Sequence, residues 1–349
     1  MKLSSSDDFS HGDTFLKIKQ KHPEINDFSS NINSSGIEGF NGKNVETLKH
    51  YPVNEEKIEE LIGKIYGIPK EKIIATSGMT SLINYVYQLY TGKKVLLIEP
   101  IFSEHRRAAE ASGCKITRLP WNSLKENIGL LKNFNYDIAS INIPVNPTGE
   151  VLEIQEIEKI IKISLKKDAF VFIDQAYVEF LPEKQKQEVI NISEDYPNII
   201  CGRSLTKVSG LPGIRLGFGV CSRELIPLLG KIRGPWTIPE EYYSLIERWN
   251  EFKPDIGLIR KEREFICEEL GRMNFRIIGK SQVNFLSFSV DDEIDPVYFE
   301  NKLVEKGYLI RNIGNFYGFT ERDFRIGIRS HEKNKNLMDA IKEAASGQR

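Results

Sequence analysis

Cysteine is scarce: the chain's 349 residues include only Cys114, Cys201, Cys221 and Cys267, with no CxxC pair among them. That scarcity argues against a disulfide-stapled scaffold and against a structural zinc site. Long apolar runs are missing too. The most apolar stretches, VLLIEP and AFVFID, are of strand length, far short of the roughly 20 residues that a membrane-spanning helix needs. The opening MKLSSSDDFSHGD has no apolar core of the kind found in a secretory leader, so a cytoplasmic location is expected. Neither sign of charge dominates. Lys and Arg number 48 against 49 Asp and Glu, a formal net charge of -1, so nothing draws the whole chain to nucleic acid or to an anionic membrane.

A composition of 40% hydrophobic and 28% charged residues suits a globular protein with a sizeable core. The length favours a large domain joined to a smaller one. Residues 1–40 are rich in Ser, Asn, Asp and Gly and read as an ordered arm or a set of turns. From about 41 to 240, strands alternate with helices: KIIATSG, KKVLLIEP, KITRLP, YDIASINIP, AFVFIDQAY, NIICGRSLTK and IRLGFGV are the strands. Their nearly continuous apolar character predicts an α/β fold whose mostly parallel sheet is covered on both faces by helices. Residues 241–349 change pattern. A long charged helix is expected over roughly 240–270, followed by NFRIIG, VNFLSFSV, YLIRNI and DFRIGIRS as strands of a small α+β domain.

In an open α/β sheet, ligands gather beyond the carboxyl ends of the strands. Ser77 and Gly78, Asn146, Asp174 and Tyr177, and Ser204, Thr206 and Lys207 all follow strands in this way. Lys207, in SLTKVSGLPGIR, is the central candidate, because a lysine in a pocket can supply the free amine of a Schiff base. Asp174 could pair with a protonated pyridine nitrogen. Asn146 and Tyr177 could hydrogen-bond a ring oxygen. Gly78, Met79 and Thr80 stand where a strand gives way to a helix, a natural phosphate cradle. Arg215, Ser204 and Thr206 could add phosphate donors, and Phe102 could stack on a ring. Taken singly, each has a plainer reading: a solvated lysine, a turn asparagine, a capping aspartate or a core aromatic.

Together the segments TSGMTSLI, EPIFSEHRRA, NIPVNPTGEV, VFIDQAYVEF, SLTKVSGLPGIRLGF and FRIGIRSHEKN resemble the fold-type-I pyridoxal-phosphate enzymes of the aspartate aminotransferase superfamily. The likeness runs in family order from about residue 27 to residue 345. It implies pyridoxal 5′-phosphate held on Lys207, with Asp174 at the pyridine nitrogen, Asn146 and Tyr177 at the phenolic oxygen and Phe102 on the ring. Gly78, Met79, Thr80, Ser204, Thr206 and Arg215 would hold the phosphate. Tyr51 matches a tyrosine that reaches the neighbouring subunit's phosphate, which implies a homodimer with shared active sites.

Two branches of that superfamily compete, histidinol-phosphate aminotransferase and L-threonine-O-3-phosphate decarboxylase. DDFSHGD, DFSSNINSSG, GPWTIP and the tail YLIRNIGNFYGFTERDFRIGIR resemble the decarboxylase more. Asp13 stands where that branch carries glycine. The resemblance implies a lyase acting on L-threonine O-3-phosphate or L-serine O-phosphate. Its substrate would be held by His11, Asn33, Arg311 and Arg325, with Arg329 in a supporting role.

Overall fold

The computed structural model describes residues 15–33, 51–52, 55–239 and 241–346. The described residues divide into two compact units. The smaller comprises residues up to 33, Val145–Glu150 and everything from Asp255 on; the larger comprises the rest. The larger unit thus runs to Pro254, past the residue 240 boundary placed from sequence, and the smaller one takes in the NPTG turn.

The chain enters through a short helix, α1 (Phe15–Lys21), and a two-residue strand, β1 (Asn26–Asp27). The larger unit follows, opening with α2 (Glu55–Tyr66), β2 (Ile73–Thr76), α3 (Met79–Leu89), β3 (Lys94–Glu99), α4 (Ser103–Ala111) and β4 (Lys115–Pro120). Next come α5 (Trp121–Glu126), β5 (Ile138–Asn142), α6 (Ile154–Leu165), β6 (Phe170–Asp174) and α7 (Glu183–Asp195). It closes with β7 (Ile199–Ser204), α8 (Leu205–Val208), β8 (Gly217–Cys221), α9 (Ile226–Arg233) and α10 (Glu241–Glu247).

Its seven strands lie in the order β2-β8-β7-β6-β5-β3-β4. Only β8 runs against its neighbours, pairing antiparallel with both β2 and β7. The central strands β5 and β7 are buried at every position, the signature of a sheet covered on both faces. Helix α3 sits very close to this sheet. Gly202 and Gly219 are cross-strand partners on β7 and β8, and a Cβ at either would meet the side chain of Met79 or Leu82. Those two absent side chains let the amino end of α3 lie against the sheet, where Gly78 turns into the helix.

The smaller unit continues with α11 (Ile256–Arg272), β9 (Arg276–Ile278), β10 (Phe285–Ser289), α12 (Pro296–Glu305), β11 (Tyr308–Leu309), β12 (Arg311–Asn312), β13 (Asp323–Gly327) and α13 (His331–Ser346). A four-stranded antiparallel sheet, β12-β13-β10-β9, packs its apolar face on a core that includes Phe275, Phe288, Phe299, Phe324 and Leu337.

Two expectations need correcting. The single helix over 240–270 is broken: α10 ends at Glu247, and α11 starts at Ile256. Pro254 has no N–H and disfavours helical backbone at the residue before it, while Asp255 caps the new helix by accepting from the Leu258 amide at 2.9 Å. The YLIRNI strand is also split. β11 pairs parallel with β1, whereas β12 pairs antiparallel with β13.

Candidate active site

The larger unit gathers most of the cofactor candidates at the carboxyl ends of β2, β6 and β7. Gly78 follows β2 and has φ +77, a left-handed conformation that favours glycine. A Cβ there would lie 2.9 Å from Nη2 of Arg215. The guanidinium thus lies over a residue without a side chain, beside the first amides of α3, those of Met79 and Thr80. A cation at the amino end of a helix is an arrangement suited to an anion.

Asp174 ends β6 and is 2% exposed. Its Oδ1 accepts from the Ala176 amide at 2.9 Å, and its Oδ2 lies 3.2 Å from Nε2 of His105. His105 is fully buried on α4 and lies 3.0 Å, through Nδ1, from the hydroxyl of Tyr87, which donates to Ser140 Oγ at 2.8 Å. Burial raises the Tyr87 phenol far above its ordinary value. A buried carboxylate is thus held by a backbone amide on one side and by a buried polar chain on the other. Sequence reasoning missed that chain. The usable signal was a polar His105 on the face of α4 that also carries Ala108 and Ala109.

Lys207 lies in α8, just beyond β7, with its Nζ 6.0 Å from the centre of the buried Tyr177 ring. Ser204, at the end of β7, is 5% exposed. Thr206 is buried, and its hydroxyl donates to the Ile214 carbonyl at 3.1 Å. That bond closes the loop leading to Arg215. Phe102 is half-buried at the start of α4. Tyr51 is 75% exposed and stacks on Trp236, with ring centres 4.5 Å apart.

In the smaller unit, Arg325 lies in the middle of β13 and is 8% exposed. Its Nη1 donates to Asn146 Oδ1 at 2.5 Å and its Nη2 to the Ser29 carbonyl at 3.1 Å, with Phe285 beneath the guanidinium. The backbone register sets Arg325 opposite Ser287 on β10 and opposite Arg311 on β12. Arg311 donates to Asn315 Oδ1 at 3.0 Å. Burial pushes the Arg311 pKa down, opposed by the Glu300 carboxylate. Burial likewise pushes the Glu300 carboxyl up, opposed by Arg311.

Asn33 is buried at the end of the described arm. Arg329 donates to the carbonyls of Asp27, Ser30 and Ile32, so it secures the arm segment. His11 and Asp13 lie outside the described residues.

The profile of the family described as aminotransferase class I and II matches residues 3–341. A relative from Caldanaerobacter subterraneus subsp. tengcongensis, provisionally named a threonine-phosphate decarboxylase, is 31% identical over 316 residues, covering 86% of this chain and 84% of its own. Histidinol-phosphate aminotransferase from Francisella philomiragia is 29% identical over 308 residues, covering 83% and 82%. Among solved structures, the histidinol-phosphate aminotransferase of Sinorhizobium meliloti in complex with pyridoxal-5′-phosphate shares the fold at a TM-score of 0.83. It is 17% identical and is covered over 99% of each chain.

Proposed function

The chain belongs to the aminotransferase class I and II family, and we propose that within it the protein decarboxylates a phosphorylated amino acid. Pyridoxal 5′-phosphate is the cofactor. The larger unit's own geometry fits that group: a side-chain-free turn under Arg215 for the phosphate, and a buried carboxylate, Asp174, for a protonated ring nitrogen. When bound, pyridoxal phosphate supplies an electron sink for a bond broken at the substrate's α-carbon.

The chain's residues then divide the work. The amine of Lys207 holds the cofactor, and it returns a proton to the substrate α-carbon once carbon dioxide has left. Asp174, kept in place by His105 and Ala176, would pair with the ring nitrogen. Tyr177 and the Asn146 amide would bind the phenolic oxygen, and Phe102 would stack on the ring. Gly78, Met79, Thr80, Ser204, Thr206 and Arg215 would hold the phosphate. Tyr51 serves the phosphate of a second copy, in a homodimer.

One observation carries the choice of substrate class: Arg311 and Arg325 are direct cross-strand partners. Like charges in that position repel, and an anionic group between them would reverse the sign of the interaction. A guanidinium fork also matches phosphate oxygens two at a time. We therefore assign Arg311 and Arg325, with His11 and Asn33, to the side-chain phosphate. The α-carboxylate is left free to depart. The substrate is L-threonine O-3-phosphate, giving (R)-1-aminopropan-2-yl phosphate, or L-serine O-phosphate, giving ethanolamine phosphate. The second reading is histidinol-phosphate aminotransfer, favoured by the likeness to the Francisella philomiragia enzyme.

A product assay with each phosphoamino acid, without any keto acid, separates the two. Sustained carbon dioxide release with an amino-alcohol phosphate product supports the decarboxylase. Turnover of histidinol phosphate only when 2-oxoglutarate is present moves the chain to the aminotransferase branch.

A further inference from the structure

The largest fully buried side chain among the described residues is an arginine, Arg203, at 1% exposure. It occupies β7 immediately before Ser204 and four residues before Lys207. Each guanidinium nitrogen has a partner. Nε donates to Gln175 Oε1 at 3.3 Å, Nη1 to Glu179 Oε1 at 3.4 Å, and Nη2 to the Lys186 carbonyl. Tyr66 lies under the guanidinium, 5.0 Å from ring centre to Cζ, and its hydroxyl donates to the same Glu179 oxygen at 2.8 Å. Glu179 is itself 7% exposed, and its other oxygen lies 3.7 Å from Nζ of the buried Lys186.

A buried ion pair is weak evidence for stability, because taking a guanidinium and a carboxylate out of water is costly and apolar replacements of such pairs are often as stable or more so. What the fork does provide is a fixed spacing. Gln175 directly follows Asp174, and Glu179 lies two residues after Tyr177. The turn that follows Asp174 and carries Tyr177 is thereby tied to the strand that delivers Ser204 and Lys207. The parallel β6–β7 ladder already sets Asp174 opposite Gly202, and the Gln175 amide extends it by donating to the Gly202 carbonyl at 2.8 Å.

We infer that Arg203 and Glu179 form a positioning pair that sets Asp174 and Tyr177 against Lys207. The inference rests on the cofactor roles proposed above and is independent of whether the substrate loses carbon dioxide or exchanges its amine. A displacement of about 1 Å in such a site can cost on the order of a hundredfold in rate. Loss of the pair should therefore alter the cofactor's environment even where the fold survives.

The test compares the unmodified holoenzyme with Arg203→Lys, which keeps the charge but loses the fork. It also uses Arg203→Met/Glu179→Gln, which removes both charges and leaves an acceptor for Tyr66. Three quantities are read: melting temperature, the dissociation constant for pyridoxal phosphate, and the pH midpoint of the bound cofactor's visible band. The expected result is a double variant that melts within a few degrees of the parent. In both variants the midpoint is displaced, and the dissociation constant rises about tenfold or more. Folded variants with an unmoved midpoint and unchanged affinity would overturn the inference and leave the pair a structural one. Should neither variant fold, Gln175→Met removes only the Nε contact. It must displace the midpoint in the same direction, and an unmoved midpoint there overturns the inference as well. If the unmodified protein binds no pyridoxal phosphate, it is the cofactor roles that fail, before the arginine is tested.

Discussion

Arg311 faces Arg325 across adjacent antiparallel strands, with Ser287 completing the row on the third strand. Their environments differ. Arg325 is anchored to Asn146 and Ser29, whereas Arg311 is anchored to Asn315 and lies close enough to Glu300 to influence its titration. The sheet thus holds one arginine deep and fixed, and a second one balanced by a carboxylate.

Removing one member of the pair should weaken anion binding without unfolding the sheet. Arg311→Gln is expected to lower kcat/KM for the phosphorylated substrate by roughly a hundredfold, in keeping with about 2–5 kcal/mol for a lost partner in a buried charge pair. Inorganic phosphate should raise the melting temperature of the unmodified protein and do so less in the variant. Steady-state kinetics and thermal melts with and without phosphate check both statements. An unchanged phosphate effect would remove Arg311 from the anion site.

Asp174 is expected to act on the chemical step rather than on folding. Asp174→Asn keeps the shape and an acceptor for the Ala176 amide, but it loses the charge that pairs with a ring nitrogen. The expected outcome is a fall in kcat by about two orders of magnitude or more, with the cofactor still bound. His105→Gln should produce a smaller fall, because it acts only through Asp174. Single-turnover rates with cofactor-saturated protein measure this. A larger loss in His105→Gln than in Asp174→Asn contradicts the order of dependence.

Gly78→Ala tests the cradle. Its φ of +77 disfavours any Cβ, and that Cβ would press on Arg215. A destabilisation of about 1 kcal/mol is expected, together with at least a tenfold loss of pyridoxal-phosphate affinity. Equilibrium titration of the apoprotein reads the second quantity. Wild-type affinity in this variant would place the phosphate elsewhere.

The seven-stranded sheet is legible in the sequence because its strands are short apolar runs that end in polar or glycine residues. Asp174 and Lys207 stand out because several such strands end in polar residues together, although each taken singly has a plainer reading. His105 and Arg203 are hidden by the same logic. His105 lies on an otherwise ordinary amphipathic helix, and its partner Asp174 is 69 residues away. Arg203 follows NIICG in a strand, where alternation would turn it to solvent, and its partners come from a turn and a helix about 17 to 28 residues earlier. Local pattern cannot report contacts made at that range. The two-residue strand β1 is invisible as well, because it rests on pairing with the distant β11. The break at Pro254, by contrast, was readable from proline chemistry alone.

A pH effect on stability is expected from Glu99, at the end of β3. It is 6% exposed, and burial raises its carboxyl above the ordinary value of 4.5, opposed by a 2.9 Å hydrogen bond from the Ile101 amide and by Arg118. A raised folded-state value means that the native protein holds this proton more tightly than the unfolded chain. Its contribution is then fully present below the unfolded value and is lost as pH rises through the folded one. Glu99→Gln keeps an acceptor and removes that loss. The variant should therefore melt higher than the parent at neutral pH, by about 2 °C for each kcal/mol relieved, with the gap closing in acid. A gap that is constant with pH, or reversed in sign, contradicts the assignment.

Lys207 is the residue on which the cofactor's attachment depends, and borohydride reduction of the holoenzyme followed by peptide mapping tests that role most directly. Reduction fixes the cofactor's carbonyl carbon to whichever amine holds it. The account predicts one pyridoxyl group per chain, on the peptide that contains SLTK, and none in Lys207→Ala. A label on any other lysine, or no label in protein saturated with pyridoxal phosphate, would contradict it.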